Sequence, residues 1–358
     1  MHVNNVDSDK SELSYSVPQG SILGPVLFIL YINDLPSISK IANYIFFADD
    51  ANIIVTGYSY NEINDKINEV LKIIDNWVIL NGLKLNLKKT KFMIFSNKNN
   101  EPLHCFNVSI GGVTIERVES ERFLGVILES SLTWKTHISG LATKISRNAG
   151  ILFKLKGLVP ENVLKIVYNS LIQSHLYYCS NVWGLGSKSS INKIFTAQKK
   201  SVRAIENRFN NAFYNSETGE LPCHTKEIFS RNSLLTVHNI IAKNCLVAMH
   251  KIRLNTAPMK ICSIFNVNNN INYNSRRDPA FFNIPGSRLK ALDKTLCIKG
   301  PRLYNKVVNE LNKEHTSSLN VERMFLDPFK NKVACYLKSS QEDGNIDWAE
   351  QNFPLYTV

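Results

Sequence analysis

The sequence has few cysteines, and their spacing forms neither a disulfide framework nor a zinc module. Its 358 residues include seven cysteines, an odd number, and no two are spaced as Cys-x-x-Cys. They are Cys105, Cys179, Cys223, Cys245, Cys262, Cys297 and Cys335. Cys223-His224 has no second ligand pair at zinc-finger spacing. A reducing, intracellular environment fits this cysteine usage best.

Long apolar runs are also missing. The longest strongly apolar stretch, residues 26–32, is far too short to span a bilayer. The first 13 residues are polar and acidic, unlike a secretory signal peptide. We therefore expect no membrane association and an intracellular location, in the nucleus, the cytoplasm or both.

Acidic residues are scarce in the second part of the chain. Residues 1–140 contain 12 Lys/Arg and 15 Asp/Glu, whereas residues 141–358 contain 30 Lys/Arg and 15 Asp/Glu, which gives a net charge of +12 overall. Such an uneven distribution predicts a polyanionic partner for the C-terminal portion. A basic surface that serves solubility explains the charge alone equally well.

An acidic pair, Asp49-Asp50, lies between two runs of β-branched and aromatic residues. This pattern predicts a β-hairpin with its turn at residues 48–51. Adjacent carboxylates repel each other, and a divalent cation such as Mg²⁺ would offset this cost, because it is bound by one or two carboxylates plus substrate phosphates. A solvated turn, where Asp is common, is the alternative, and the pair alone favours it.

The rest of the first 130 residues predicts short strands and two helices. A Gly/Pro-punctuated loop at residues 17–25 precedes a nearly continuous apolar run, which predicts a helix buried on most sides. Ser59 and Glu62 have the spacing of a capping box for an amphipathic helix that ends near Leu80. Strands are predicted at residues 83–87, 92–95 and 123–128, and a hairpin at 106–115. Gly125 in the last strand would allow close approach of another backbone.

From about residue 134 the apolar period becomes helical. Helices are predicted near residues 138–155, 160–172, 191–205 and 234–252, with a linker at 210–230 and a flexible Asn-rich stretch at 266–274. The last segment interleaves basic residues with Phe281, Phe282 and Tyr304. That pattern fits nucleic-acid binding through phosphates and stacking, or equally an aromatic core under a basic surface.

Four motifs in order resemble the reverse transcriptases of non-LTR retrotransposons, most closely the jockey-like group. The motifs are the Gln-Gly loop at residues 17–25 with Tyr31–Leu35, Phe47-Ala48-Asp49-Asp50, Gly82–Asn86 through Lys89-Thr90-Lys91, and Phe123-Leu124-Gly125. Single motifs of this kind are weak, whereas four in order at family spacing are very specific. Together they cover residues 17–137.

The resemblance implies a fold and an activity. The fold would be an α/β, incomplete palm-type domain at residues 1–137, an all-α thumb at 138–209 and a basic, mainly helical C-terminal region at 210–358. The activity would be RNA-templated DNA synthesis by two-metal nucleotidyl transfer. Its partners would be an RNA template with a DNA primer, or an RNA–DNA hybrid, and deoxynucleoside triphosphates.

The resemblance also assigns roles to individual residues. Asp49 and Asp50 would be catalytic and hold Mg²⁺ or Mn²⁺, and Lys89 would stabilise charge on the leaving pyrophosphate. The residues that would contact the nucleotide or template are Gln19, Gly20, Ser21 and Phe47. The primer grip would be Phe123, Leu124 and Gly125, and the cations that track the duplex phosphates would be Lys144, Arg147 and Lys154.

One departure from the family concerns the metal site. Complete family members have another metal-binding aspartate and the fingers upstream of the Gln-Gly loop, and only 16 residues precede that loop here. Asp7 and Asp9 lie in a polar segment without a strand pattern. We therefore expect an N-terminally truncated chain that is catalytically incomplete alone, with the metal bound only when the further aspartate is restored. A nucleic-acid-binding module without catalysis is the alternative.

Overall fold

The chain is mostly helical with several small sheets, and it divides into two compact units, Met1–Glu119 and Ser120–Val358. The structure is a computed structural model. It describes residues 2–3, 6–7, 17–18, 20–96, 106–206, 225–268, 279–286, 295–314 and 321–342. No helix in these ranges is long and apolar enough to cross a membrane.

The described part of the first unit contains two α-helices and eight short strands. They are β1 (His2–Val3), β2 (Val6–Asp7), α1 (Leu23–Ile32), β3 (Ala42–Phe47), β4 (Asp50–Val55), α2 (Tyr60–Leu80), β5 (Lys91–Phe92), β6 (Ser109–Ile110), β7 (Val113–Thr114) and β8 (Glu116–Arg117). The pairs β1–β2, β3–β4 and β6–β7 are antiparallel, and β5–β8 is parallel.

The amphipathic helix α2 begins and ends as the sequence predicts. Ser59 caps it and accepts a hydrogen bond from the Glu62 backbone N–H, while the Glu62 carboxylate accepts one from the Tyr58 N–H. Gly82 follows its end with a φ of +64°, a conformation that glycine adopts without strain.

One face of α2 forms the core of the first unit. Val70, Ile74 and Trp77 are buried against Ala42 and Tyr44 of β3. These side chains recur at three- and four-residue spacing on the helix, and their β3 partners alternate, so each element contributes one apolar face. Strand β3, which leads into the acidic turn, is therefore packed against α2.

The prediction that α1 is buried on most sides was wrong. No residue of this helix is buried, and Leu23, Ile29 and Leu30 are 63%, 61% and 66% exposed. An apolar run predicts which side chains favour burial, but it does not predict which other residues bury them. Among the described residues, nothing covers most of this helix.

Two of the predicted strands differ from the structure. Residues 83–86 form no strand, and residues 87–89 form a turn in which the Lys89 N–H donates to the Asn86 carbonyl. The strand predicted at residues 92–95 shortens to β5, Lys91–Phe92. The hairpin predicted at residues 106–115 is confirmed as β6–β7, with Gly111 and Gly112 in its turn at positive φ.

The second unit begins with a β-hairpin and continues as helices. Its elements are β9 (Ser120–Phe123), β10 (Val126–Glu129), α3 (Lys135–Leu155), α4 (Glu161–Tyr168), a π-helical turn (Asn169–Gln173), α5 (Ser174–Tyr177), α6 (Ser180–Trp183), α7 (Lys188–Ile205), α8 (Thr225–Arg231), α9 (Val237–Arg253), α10 (Met259–Cys262), α11 (Leu296–Glu314) and α12 (Leu326–Glu342). The predicted single strand at 123–128 is wrong, because Leu124-Gly125 forms a turn within it.

One continuous core runs through the second unit. The helices predicted near 138–155, 191–205 and 234–252 are confirmed as α3, α7 and α9. Their buried faces meet around Ile145, Leu152 and Trp183, all with 0% exposure. Part of the predicted linker at 210–230 is helical, as α8, and most of the Asn-rich stretch at 266–274 lies outside the described residues.

The aromatic residues of the final segment belong to this core. Phe281, Phe282 and Tyr304 are each 0% exposed, and both phenylalanine rings contact the Tyr304 ring edge-to-face. Buried rings of this kind contribute to packing. Of the two alternatives that the sequence left open, the structure favours the aromatic core, so these three rings do not stack on bases.

Candidate functional site

The acidic pair lies at the tip of the β3–β4 hairpin. Phe47 pairs with Asp50 at the end of the ladder, and the turn consists of Ala48 and Asp49. Ala48 has a φ of +50°, which is unusual for a residue with a Cβ and is found at strained turns. Both carboxylates are exposed, and the Phe47 ring is 60% exposed beside them. The predicted hairpin is confirmed, with a turn of two residues.

The carboxylates at this tip are suited to a hard cation. Mg²⁺ takes oxygen ligands and is often held by one or two carboxylates together with water and substrate phosphates. Asp49 and Asp50 supply such oxygens on an exposed turn. Within the described residues, no third Asp, Glu, His or Cys joins them in a cluster that could hold a metal ion. Asp49 and Asp50 thus supply two carboxylates of the kind that such a cation takes.

Gly20 lies in a turn that requires glycine. Its φ is +87°, and the Ser21 N–H donates to the Pro18 carbonyl across it at 3.1 Å. The space beside Gly20 is open, since a Cβ there would meet nothing within 4 Å. The Ser21 hydroxyl accepts a hydrogen bond from the Leu23 N–H at the start of α1. The predicted partner Gln19 lies outside the described residues.

Lys89 lies in the turn after α2, with an exposed side chain. Thr90 closes this turn, because its N–H and its hydroxyl both donate to the Asn86 carbonyl at 3.0 Å. Where the structure describes the chain, Lys89 forms no ion pair with Asp49 or Asp50. The lysine is therefore available to an anionic ligand.

In the second unit, the β9–β10 hairpin carries the predicted primer grip at its tip. Its turn residues, Leu124 and Gly125, both have positive φ, at 45° and 82°. A two-residue turn of this kind matches the twist of the paired strands. Phe123 pairs with Val126 directly before and after the turn. The three predicted residues are thus adjacent at one end of the hairpin.

Glu129 joins the base of this hairpin to helix α3. The residue is 8% exposed, and its carboxylate accepts hydrogen bonds from the Thr133 hydroxyl, the Lys135 N–H and the Thr136 N–H and hydroxyl. Burial by itself raises the pKa of this carboxyl, but the bonds from Thr136, Thr133 and Lys135 outweigh it and leave the pKa below its usual value. The sequence did not predict this cap. A capping box has Glu or Gln three residues after the capping Ser or Thr, and here Thr136 stands three residues after Thr133.

We expect Glu129→Gln to lower the free energy of unfolding by about 2 kcal/mol, since an amide cannot accept all of these bonds. The loss should be largest near neutral pH and shrink in acid, because a carboxyl with a lowered pKa stabilises the fold only above that pKa. Urea unfolding followed by circular dichroism measures both effects. Glu121→Gln, at an exposed position on the same hairpin, is the matched control. Equal midpoints for the two variants would contradict the cap.

A cationic groove lies between α3 and α7, and we call it the α3–α7 groove. It has a volume of about 970 Å³. Its lining consists of Ile127, Lys135, Thr136, Ile138, Ser139, Gly140, Thr143, Lys144, Arg147, Ser189, Ser190 and Lys193. Four of these residues are cationic, five carry hydroxyls and none is acidic. Such a lining attracts a polyanion.

Helical periodicity explains how α3 builds its wall of the groove. Thr136, Gly140, Thr143 and Arg147 recur at three- and four-residue spacing, so they share one face of the helix. Three buried core residues of α3, Ile145, Ala149 and Leu152, lie on the opposite face, whereas the buried Ile138 also lines the groove. The first two turns of α7 supply the other wall through Ser189, Ser190 and Lys193, and the Ser187 hydroxyl caps that helix. The groove is therefore part of the folded helix pair.

The groove brings together two of the three predicted backbone-binding cations. Lys144 and Arg147 line it, whereas Lys154 is exposed on the last turn of α3 and is not part of the lining. Lys135 and Lys193 line it as well, and the sequence reasoning assigned neither to this role. Burial, and then the charge of the nearby Lys144, lower the pKa of His175.

Comparison with known proteins finds a family match in the first part of the chain. Residues 2–128 match the family described as reverse transcriptase (RNA-dependent DNA polymerase). The chain is 28% identical over 200 residues to the RNA-directed DNA polymerase from mobile element jockey of Drosophila funebris, which covers 53% of this chain and 21% of that protein. It is 27% identical over 223 residues to the Drosophila melanogaster protein of the same description, covering 57% of this chain and 23% of the relative.

A third relative belongs to another element. The Retrovirus-related Pol polyprotein from type-1 retrotransposable element R1 of Nasonia vitripennis is 29% identical over 197 residues, which cover 53% of this chain and 57% of that protein. No solved structure matches the chain. The chain spans about a fifth of the length of the two jockey relatives. It thus carries a reverse transcriptase domain and is homologous, over part of its length, to RNA-directed DNA polymerases of non-LTR retrotransposons.

Proposed function

We propose that this chain supplies part of the active site of a polymerase that copies RNA into DNA by nucleotidyl transfer. The observation that carries the proposal is the pair Asp49-Asp50, exposed at the tip of a hairpin inside the segment that matches reverse transcriptases. Reverse transcriptases as a family use divalent metal ions. When bound, such ions stabilise charge on the attacking and leaving oxygens of an in-line displacement.

The chain's own residues would bind and orient the substrates. Asp49 and Asp50 would hold Mg²⁺ or Mn²⁺ together with a further carboxylate from outside the described residues. Lys89, exposed on its turn, would bind the triphosphate of the incoming nucleotide and stabilise the leaving pyrophosphate. Gln19, Gly20, Ser21 and Phe47 would contact the nascent base pair, where the open space beside Gly20 leaves room for it.

The two units would correspond to polymerase subdomains. The first unit would be part of the palm, and the helices after residue 137 would be the thumb and a basic C-terminal region. In this arrangement Phe123, Leu124 and Gly125 contact the primer. The RNA template, the DNA primer and the deoxynucleoside triphosphates are the partners.

A polypeptide of residues 1–358 is expected to give no primer extension on an RNA template with either Mg²⁺ or Mn²⁺. The reason is that its described residues bring two carboxylates, not three, to the metal site. A gel-based extension assay, with an unrelated active reverse transcriptase as positive control, measures this. Robust extension that Asp49→Ala abolishes and Asp65→Ala, at an exposed position on α2, leaves intact would contradict the expectation.

The α3–α7 groove favours a second function, the binding of RNA or an RNA–DNA hybrid without catalysis. The described residues of the lining present four cations and no carboxylate to an incoming backbone. Lys144 and Arg147 would contact phosphates inside the groove, and Lys154 would contact the same strand further along α3. Binding of this kind weakens steeply with salt, because each neutralised phosphate releases counterions.

A further inference from the structure

The tip of the β9–β10 hairpin is held in a conformation that its sequence disfavours. Leu124 has a φ of +45°, a left-handed value that a side chain with a Cβ rarely adopts. Backbone strain of this kind persists only where the surrounding structure fixes it. The neighbour that fixes it lies in the helical part of the same unit.

Tyr178 is that neighbour. Its hydroxyl donates a hydrogen bond to the Leu124 carbonyl. Its ring lies against Gly125, since a Cβ built on that glycine would be 3.4 Å from the Tyr178 Cε1 atom. Glycine at this position therefore serves both the positive φ and the approach of the ring. The sequence predicts the close approach of another backbone at Gly125. The group that approaches this glycine is instead the Tyr178 side chain.

The backbone at Tyr178 is itself fixed by hydrogen bonds from two side chains, those of Trp183 and Asn244. It follows α5, and its carbonyl accepts a hydrogen bond from the Trp183 indole N–H at 2.7 Å. The Tyr177 carbonyl accepts one from the Asn244 side-chain amide at 2.9 Å. Trp183 is 0% exposed, whereas the Tyr178 side chain is 51% exposed. The Tyr178 side chain thus extends toward solvent from the hydrogen-bonded backbone between α5 and α6.

The second strand of the same hairpin borders the α3–α7 groove. Ile127 of β10 lines the groove, and its N–H donates to His137 Nδ1 of α3 at 3.2 Å. Glu129 at the base is also bonded to the first turn of α3, and the tip is tied to Tyr178. Two anchors at opposite ends of a short hairpin determine its direction relative to the groove.

We propose that Tyr178 is a positioning residue that holds the β9–β10 tip in register with the α3–α7 groove, so that a strand bound in the groove meets Phe123–Gly125 at its 3′ end. This proposal deepens the proposed function and rests on it for the identity of the strand. The hydrogen bond and the ring contact act together on the turn. Loss of the hydroxyl alone should loosen the tip while the helices stay folded.

Hydrogen exchange in the free chain of residues 1–358 tests the anchor without nucleic acid. In Tyr178→Phe, the amides of the β9–β10 turn should exchange about fivefold faster, and those of α3 and α7 should be unchanged. Tyr177→Phe is the matched control. Asn244 bonds to the backbone carbonyl of Tyr177, and this substitution leaves that carbonyl in place. Unchanged exchange in the hairpin of Tyr178→Phe would overturn the proposal.

Cross-linking tests the consequence for the bound strand. An RNA–DNA hybrid with 4-thiothymidine at the primer 3′ end should cross-link to peptides of residues 120–129, and Tyr178→Phe should reduce that yield about threefold while affinity changes less than twofold. A purely structural residue would lower affinity and yield together, which would overturn the positioning role. Hairpin exchange could accelerate in Tyr178→Phe while the wild-type protein binds no RNA–DNA hybrid. That result would refute the proposed function but confirm that Tyr178 holds the hairpin tip.

Discussion

Replacing Lys144, Arg147 and Lys193 together with alanine is expected to weaken binding of an RNA–DNA hybrid on the order of a hundredfold at low salt. The three side chains contribute three of the four cations in the α3–α7 groove. Phosphate contacts provide most of the sequence-independent affinity for nucleic acid, and a phosphate that is no longer neutralised keeps its counterions. The slope of log K against log salt should therefore become shallower by roughly 2 to 3. Fluorescence anisotropy across a salt series measures both quantities.

A charge-matched variant separates the groove from bulk charge. Lys165, Lys200 and Lys260 do not line the groove, and their replacement by alanine removes the same net charge. We expect that variant to bind within about threefold of the wild-type protein, since charges away from the contact are screened beyond a Debye length. Equal losses for the two triple variants would refute a groove-specific site. Lys154→Ala reports separately whether the strand continues along α3.

The α3 wall of this groove could be predicted from sequence, but the α7 wall could not. Lys144 and Arg147 are on a helix whose period is evident, and the family resemblance gave them a role. Lys193 is 46 residues beyond Arg147, and its place opposite α3 depends on how the apolar faces of α3 and α7 pack. Helical period predicts which face of each helix is buried, but it does not predict which partner that face meets.

The acidic hairpin and helix α2 were predictable because their determinants are local. A two-residue turn between alternating runs, a Ser59–Glu62 cap and a following glycine act within a few residues of each other. The exposure of α1 was not predictable in this way, because burial depends on what lies across from a helix. The same limit applies to Leu124, since its left-handed turn depends on Tyr178, which is 54 residues away.

A buried histidine in the core of the second unit has an environment in which its neutral form is preferred. His250 is 0% exposed, and its ring stacks on Phe329 with centroids 3.7 Å apart. Its Nε2 lies 2.9 Å from the Met324 carbonyl, and a carbonyl can only accept, so Nε2 carries the proton. Nδ1 then accepts from the Tyr304 hydroxyl at 2.8 Å. Both ring nitrogens are satisfied without a positive charge.

Acidification should therefore destabilise the second unit through His250. Burial first, and the nearby Arg253 charge in the same direction, lower the pKa of His250 to about 4, although the Met324 carbonyl and Glu322 oppose them. Because the unfolded side chain titrates near 6.5, the unfolded state binds more protons below that pH. Stability is then fully present above about pH 6.5 and falls by up to about 3 kcal/mol as pH approaches 4.

Urea unfolding of the wild-type protein and of His250→Gln, followed by circular dichroism between pH 7.5 and 4.5, measures this contribution. The variant should be less stable at neutral pH, since it loses the ring contacts, but its stability should depend less on pH in this window. His175→Gln is the matched control, because His175 is only partly buried and should flatten the profile less. Parallel profiles for the wild-type protein and His250→Gln would show that His250 does not set this acid limit.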